Sequence, residues 1–167
     1  MTILPTCTKS NGTLFSSSDI KWVKNVKRDK GTDWANMEPS ELPEFDLNFS
    51  LAKEASGSIV KIDEILLLFQ KVDKMIGVPV HTYLTHLVTP VYGKPSRDDG
   101  NVNFPITRRV KVIARGLKNL PPFSSPDELN FFKPNRGAVH TIRQLKETLS
   151  LLKIQKIVWG KFGALFI

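Results

Sequence analysis

The chain is poor in the residues that staple a fold or anchor it in a bilayer. It holds one cysteine, Cys7, in 167 residues, so no internal disulfide can close and a cystine-stapled secreted scaffold is excluded. No apolar run approaches the roughly 18 residues that a membrane-crossing helix needs. The first residues lack the basic start and the apolar stretch of a signal peptide. Neither a P-loop nor a GxGxxG phosphate cradle can be read anywhere. Histidine is scarce too: His81, His86 and His140. The first two stand five apart, which on a strand sends them to opposite faces, and no acid lies between Asp73 and Asp98 to complete a metal or proton-relay set. Cys7 has no local histidine to activate a thiol. Asp98-Asp99-Gly100 opens like a calcium loop, but the remaining ligand positions are missing and it reads as a turn. With no convergent polar site, the sequence reads as a non-enzyme with no cofactor and no metal.

What the chain has is positive charge. Twenty-four Lys and Arg against 16 Asp and Glu leave a net +8, which points to an anionic partner, either nucleic acid or an acidic membrane surface. The charge is unevenly placed. Residues 35–64 carry two lysines and seven acids, whereas residues 101–167 carry twelve Lys and Arg against three acids.

Residues 1–43 show no sustained periodicity and are punctuated by Asn11-Gly12, three serines, Gly31, Pro39 and Pro43. They read as a flexible basic N-terminal arm, with Lys21, Lys24, Lys27, Arg28 and Lys30 as its binding cluster. Residues 44–167 read as the globular domain. Phe45, Leu47, Phe49 and Leu51 alternate with polar residues, which predicts a half-buried strand. Ile62, Ile65, Leu66, Phe69, Val72 and Ile76 recur at helical spacing before Gly77, which predicts a helix. Val80–Val88 predicts a β-branched strand. A long polar loop over 89–103 follows, and then an alternating strand over Ile106–Ala114 in which Arg108 interrupts the apolar face. Ile142, Leu145, Leu149 and Leu152 predict a helix over 138–152. Ile154–Ile167 predicts a hairpin turning at Gly160–Gly163. The expected fold is α+β: a small antiparallel sheet packed with two amphipathic helices behind the flexible arm.

Arg109, Lys111, Arg115 and Lys118 form a second basic cluster, able to follow a line of phosphates. No aromatic residue lies in 105–122 to stack bases, so charge-driven binding is favoured over base-specific reading.

The order of elements resembles the central domain of rhabdovirus matrix proteins, in particular the shorter, cytorhabdovirus-like ones of plant-infecting members. The resemblance is carried by Phe45-Asp46-Leu47-Asn48-Phe49-Ser50-Leu51, a helix over Ile59–Val72, the helix end Asp73-Lys74-Met75-Ile76-Gly77 and the strand from Pro79 to Val88. The basic strand Arg108–Arg115 leading to Leu120-Pro121 and the closing helix and hairpin add to it. It implies a viral structural protein that self-associates, condenses the ribonucleoprotein and links it to the envelope membrane. Its place would be the virion, between nucleocapsid and envelope, and in infected cells the cytoplasm and membrane periphery. Implied partners are further copies in a head-to-tail polymer, the nucleocapsid, an anionic membrane surface and the glycoprotein tail. Self-association contacts are expected at Leu42, Pro43, Leu120, Pro121, Pro122 and Phe123, because proline-rich segments dock with little ordering cost. The competing expectation is a small basic nucleic-acid-binding regulator such as a viral suppressor of RNA silencing.

Overall fold

The computed structural model describes residues 8–26, 43–72, 81–115, 142–145 and 149–162. Its strands are β1 (Ile20–Val26), β2 (Glu44–Phe49), β3 (Ile65–Val72), β4 (His81–Pro90), β5 (Ser96–Arg97), β6 (Ile106–Arg115) and β7 (Arg143–Gln144). A short helix α1 (Glu54–Ser58) follows β2, and the longer α2 (Leu149–Phe162) ends the described chain. The fold is α+β, as the sequence implies. The sheet is mixed, with the order β2-β6-β4-β3-β1-β7 and β5 beside β6. The expected all-antiparallel pairing is corrected at β1, which runs parallel to β3.

The alternating strands form where the sequence places them. In β2 the apolar residues Phe45, Leu47 and Phe49 are buried and Glu44, Asp46 and Asn48 half-buried. Each buried residue of β2 lies opposite an inward residue of β6, with Phe45 beside Val110, Leu47 beside Arg108 and Phe49 beside Ile106. β4 and β6 likewise fall on the expected segments. The turn at Asp98-Asp99-Gly100 is present, closed by Asn101 N–H donating to the Asp98 carbonyl at 3.1 Å.

The helix expected at 62–76 is strand β3 over its described part. Its run Ile65-Leu66-Leu67-Leu68-Phe69 is buried along its whole length because both faces of the sheet are covered. Ile65, Leu67 and Phe69 join one cluster together with Ile154, Val158 and Phe162 of α2. Leu66 and Leu68 join the other, with Phe45, Leu47, Phe49 and Val110. A strand buried on both faces loses its polar alternation, and a continuous apolar run then matches helical spacing by chance.

Two further corrections follow at the C-terminal end. Residues 142–145, expected in a helix, are extended: Arg143–Gln144 pair with Trp22–Val23 of β1, and Leu145 N–H donates to the Lys21 carbonyl at 2.8 Å. The expected hairpin from Ile154 is instead α2. Ile154, Val158 and Phe162 stand four apart, so they share one helical face and all are buried. Gln155 Nε2 donates to the Ile20 carbonyl at 2.9 Å and ties this helix to β1.

The arm is corrected within residues 8–26. Thr8 bridges Leu14 around a turn at Gly12, whose φ of 84° lies in the left-handed region that glycine adopts freely. β1 is an interior strand, and Ile20 and Val23 are buried in the core. Periodicity missed it because a bulge at Lys21 shifts the register between Ile20 and Trp22 and breaks the alternation. The rest of the arm lies outside the described residues.

Gly57 of α1 shows how closely the loops pack on the sheet. A Cβ there would stand 3.1 Å from Ile106 Cγ2 and 3.3 Å from Phe49 Cδ2. Gly57→Ala is therefore expected to destabilise by about 1–3 kcal/mol through overpacking, despite alanine's better helix propensity. A urea melt checks this, and an unchanged midpoint would show that the loop yields.

Candidate functional site

The basic residues singled out in the sequence separate into different environments. Lys24 is not a surface cation: it is 4% exposed, with Nζ 5.1 Å from the centre of the Phe49 ring. Desolvation lowers its pKa from 10.5 to about 8. Its expected contact with an anionic surface is corrected accordingly. Lys21 is half exposed and pairs with Glu64 at 3.3 Å. Lys27, Arg28, Lys30 and Lys118, together with the side chain of Arg115, lie outside the described residues.

The β6 cluster is met by acids across the strand. Glu44 stands opposite Lys111 and Asp46 opposite Arg109 in the β2–β6 register. Arg109 Nε lies 3.3 Å from Glu44 Oε1, and its Nη1 lies 3.3 Å from Asp46 Oδ1. Partial desolvation pulls the Arg109 pKa down, and the two carboxylates more than offset it, so the net shift is upward. Arg109 is thus partnered by two carboxylates while its side chain stays partly exposed. Lys111 has no carboxylate partner among the described residues. Linear sequence could not reveal this neutralisation, because Glu44 and Arg109 are far apart along the chain and meet only through strand register.

Arg108 is the residue that sequence reasoning undervalued. It is 2% exposed and projects from β6 beneath the loops at one end of the sheet. Its Nη1 donates to the Gly57 carbonyl at 2.9 Å. Its Nη2 donates to the carbonyls of Val60 at 2.7 Å and Tyr92 at 3.0 Å. The guanidinium therefore clamps the 57–63 loop to the loop after β4. Burial lowers its pKa, but a guanidinium remains cationic. Its Nε has no hydrogen-bond partner. The signal was present in the sequence as a cation on the apolar side of an alternating strand, a position that burial makes costly unless several acceptors converge.

The same loop end uses its acids internally. Asp63, whose φ is 72°, accepts from Ser10 N–H at 2.9 Å and from the Ser10 hydroxyl, and its own N–H donates to Thr89 Oγ1 at 3.1 Å. Glu64 Oε1 accepts from Trp22 Nε1 at 3.0 Å and from Lys61 N–H at 2.9 Å. Desolvation raises the Glu64 pKa, but these hydrogen bonds and the Lys21 ammonium outweigh it and hold the carboxyl below its usual value. Elsewhere, Asp19 pairs with Lys9 at 2.8 Å and Asp99 with Arg97 at 2.8 Å. Lys53, Lys61, Lys94, Lys153 and Lys156 are exposed, and no carboxylate pairs with them among the described residues.

His86 is buried, with Nδ1 2.8 Å from Thr85 Oγ1 and its ring edge-on to Phe45 at 5.7 Å. Among the described residues no group of three or more His, Cys, Asp or Glu could hold a metal ion. No helix among them is long and apolar enough to cross a membrane. Of the expected self-association residues, Pro43 is exposed and its carbonyl accepts from Val112 N–H at 2.9 Å, which continues the β2–β6 ladder. Leu42, Leu120, Pro121, Pro122 and Phe123 lie outside the described residues. No protein-family model matches the chain, and a search of curated proteins finds no match.

Proposed function

We propose that the protein is a matrix-type structural protein of a virion, which self-associates, condenses the ribonucleoprotein and links it peripherally to an anionic membrane. One observation carries this reading. Of the eight described acids, Asp19, Glu44, Asp46, Glu64 and Asp99 are each paired with a cation and Glu54, Asp63 and Asp98 are not, while the six lysines Lys53, Lys61, Lys94, Lys111, Lys153 and Lys156 have no carboxylate partner among the described residues. The surplus is carried by Lys111 on β6, by Lys53, Lys61 and Lys94 on the turns and loops at the sheet's end, and by Lys153 and Lys156 on α2, so it is held on folded elements. Such an array attracts phosphate-bearing surfaces of either kind, a bilayer or a nucleocapsid.

Two elements on which the family resemblance rested have a different form, since the 59–72 helix is largely β3 and the closing hairpin is α2. The charge array therefore supports the proposal more strongly than the order of elements does. Binding to vesicles containing phosphatidylserine is expected to fall steeply as salt rises, because the attraction decays within a Debye length of about 10 Å at 0.1 M. Sedimentation at low salt is expected to show polymers. A monodisperse small species that ignores vesicles and retards RNA in a gel would overturn the matrix reading in favour of the nucleic-acid regulator.

A further inference from the structure

We propose that the loop end of the sheet is the membrane-docking surface, seating Leu51, Ile59, Ile62 and Tyr92 among anionic lipid headgroups inside a rim of lysines. This rests on the matrix reading and assigns its membrane contact to residues outside the basic clusters visible in the sequence. The large apolar side chains exposed on the described surface are not scattered. Apart from Leu152 on α2, all lie on loops or single turns: Leu14 (61%), Leu51 (51%), Ile59 (42%), Ile62 (39%), Tyr92 (64%) and Val102 (86%).

Three links bring these loops together. Arg108 joins the carbonyls of Gly57, Val60 and Tyr92. A Cβ placed on Gly93 would stand 4.0 Å from Ile62 Cδ1. Asp63 accepts from Ser10 and so draws in the turn that carries Leu14. Exposed apolar side chains gathered on loops tied together in this way mark an interaction surface.

The charges around it select the partner. Exposed lysines are interleaved with the apolar residues, as Leu51-Ala52-Lys53, Ile59-Val60-Lys61-Ile62 and Tyr92-Gly93-Lys94. The neighbouring acids Asp63 and Glu64 are engaged by Ser10, Trp22, Lys21 and the Lys61 amide, and Glu54 is the exposed carboxylate of the 51–64 segment. Apolar tips beside lysines match the two layers of an anionic bilayer surface, hydrocarbon beneath phosphate, and a tyrosine sits well at that boundary. The buried clamp holds the tips at a fixed spacing, so little ordering is needed on docking.

Flotation of the full chain with phosphatidylserine–phosphatidylcholine vesicles tests the assignment, alongside melting curves and sedimentation. Ile59→Ser, Ile62→Ser and Tyr92→Ser combined are expected to lower vesicle binding roughly tenfold or more at both low and high salt, through lost apolar burial. Lys53→Gln, Lys61→Gln and Lys94→Gln combined are expected to lower it mainly at low salt. The wild type on pure phosphatidylcholine is expected to bind weakly. Should the apolar triple variant melt early, Ile62→Ser and Tyr92→Ser singly are each expected to lower binding about threefold. Undiminished flotation of folded apolar variants overturns this assignment and leaves the matrix reading intact. Intact flotation with loss of polymers overturns it too, by making the patch a contact between copies. A wild type that does not float overturns both.

Discussion

Arg108→Met is expected to destabilise the protein by about 3–5 kcal/mol, since three carbonyls are each left without a donor at about 1–3 kcal/mol apiece, partly offset because a guanidinium need no longer be desolvated. The three carbonyls of Gly57, Val60 and Tyr92 lose charge-assisted donors at 2.7–3.0 Å. An unbranched apolar side chain fills part of the space but leaves those acceptors with nothing to accept. For a chain of this length the midpoint is expected to fall by roughly 6–20 °C. Amide exchange is expected to accelerate first in the 57–63 and 91–93 loops, which the clamp joins. Arg108→Lys is expected to recover only part of the loss, since one ammonium cannot reproduce a planar fork reaching three carbonyls. A melt of the methionine variant within about 1 kcal/mol of the wild type would show that water replaces the guanidinium without cost.

Lys24 gives the second large effect, and it depends on pH. Desolvation lowers its pKa from 10.5 to about 8 in the folded protein. Below pH 8 both folded and unfolded chains carry the ammonium, and the folded state bears the full penalty of burying it. Between pH 8 and 10.5 the folded protein has released this proton while the unfolded chain still holds it. The unfolded state then binds more protons, so stability rises with pH across that window. At about 1.4 kcal/mol per pKa unit the full gain is about 3.5 kcal/mol. Lys24→Met is expected to stabilise the protein at pH 7 by up to that amount and to flatten the pH profile between 8 and 10.5. The Phe49 ring, 5.1 Å from Nζ, returns some of the cost as a cation–π contact and sets the shortfall. Urea melts at pH 7, 8.5 and 10 compare the two proteins. A wild-type profile flat above pH 8 would place the ammonium in contact with water.

The two results bear on function in opposite ways. Arg108 builds the surface on which the loop residues are displayed, so its loss is expected to weaken vesicle binding together with stability. Lys24 lies in the cluster on the face of the sheet where Phe49 packs, and its replacement is expected to leave vesicle binding unchanged. This contrast separates a buried cation that ties loops together from one whose burial only costs stability, a distinction that net charge alone cannot make.

Strands with one polar face were legible from the sequence, because alternation survives when only one side is buried. β2 and β6 both carry that pattern, and the Asp98-Asp99-Gly100 turn follows from residue type alone. β3 was not legible as a strand, since α2 covers one face and the β2–β6 residues cover the other. Ile154, Val158 and Phe162 did carry a helical signal, but β-branched residues and Gly160 in the same window read equally well as a hairpin. Gly160 is tolerated in α2 because it lies on the exposed side, with nothing within 4 Å of the point where a Cβ would stand.

Composition and patterning by themselves determined that the chain is a basic α+β protein, because net charge and apolar periodicity are properties of the residues regardless of neighbours. Which cations remain available was decided only by tertiary structure. Strand register set Glu44 and Asp46 against Arg109, burial withdrew Lys24, and convergence of three carbonyls turned Arg108 into a clamp. Each of these outcomes depends on pairs of residues distant in sequence and adjacent in space, and the energy of a charge depends on that spatial neighbourhood far more than on its neighbours along the chain.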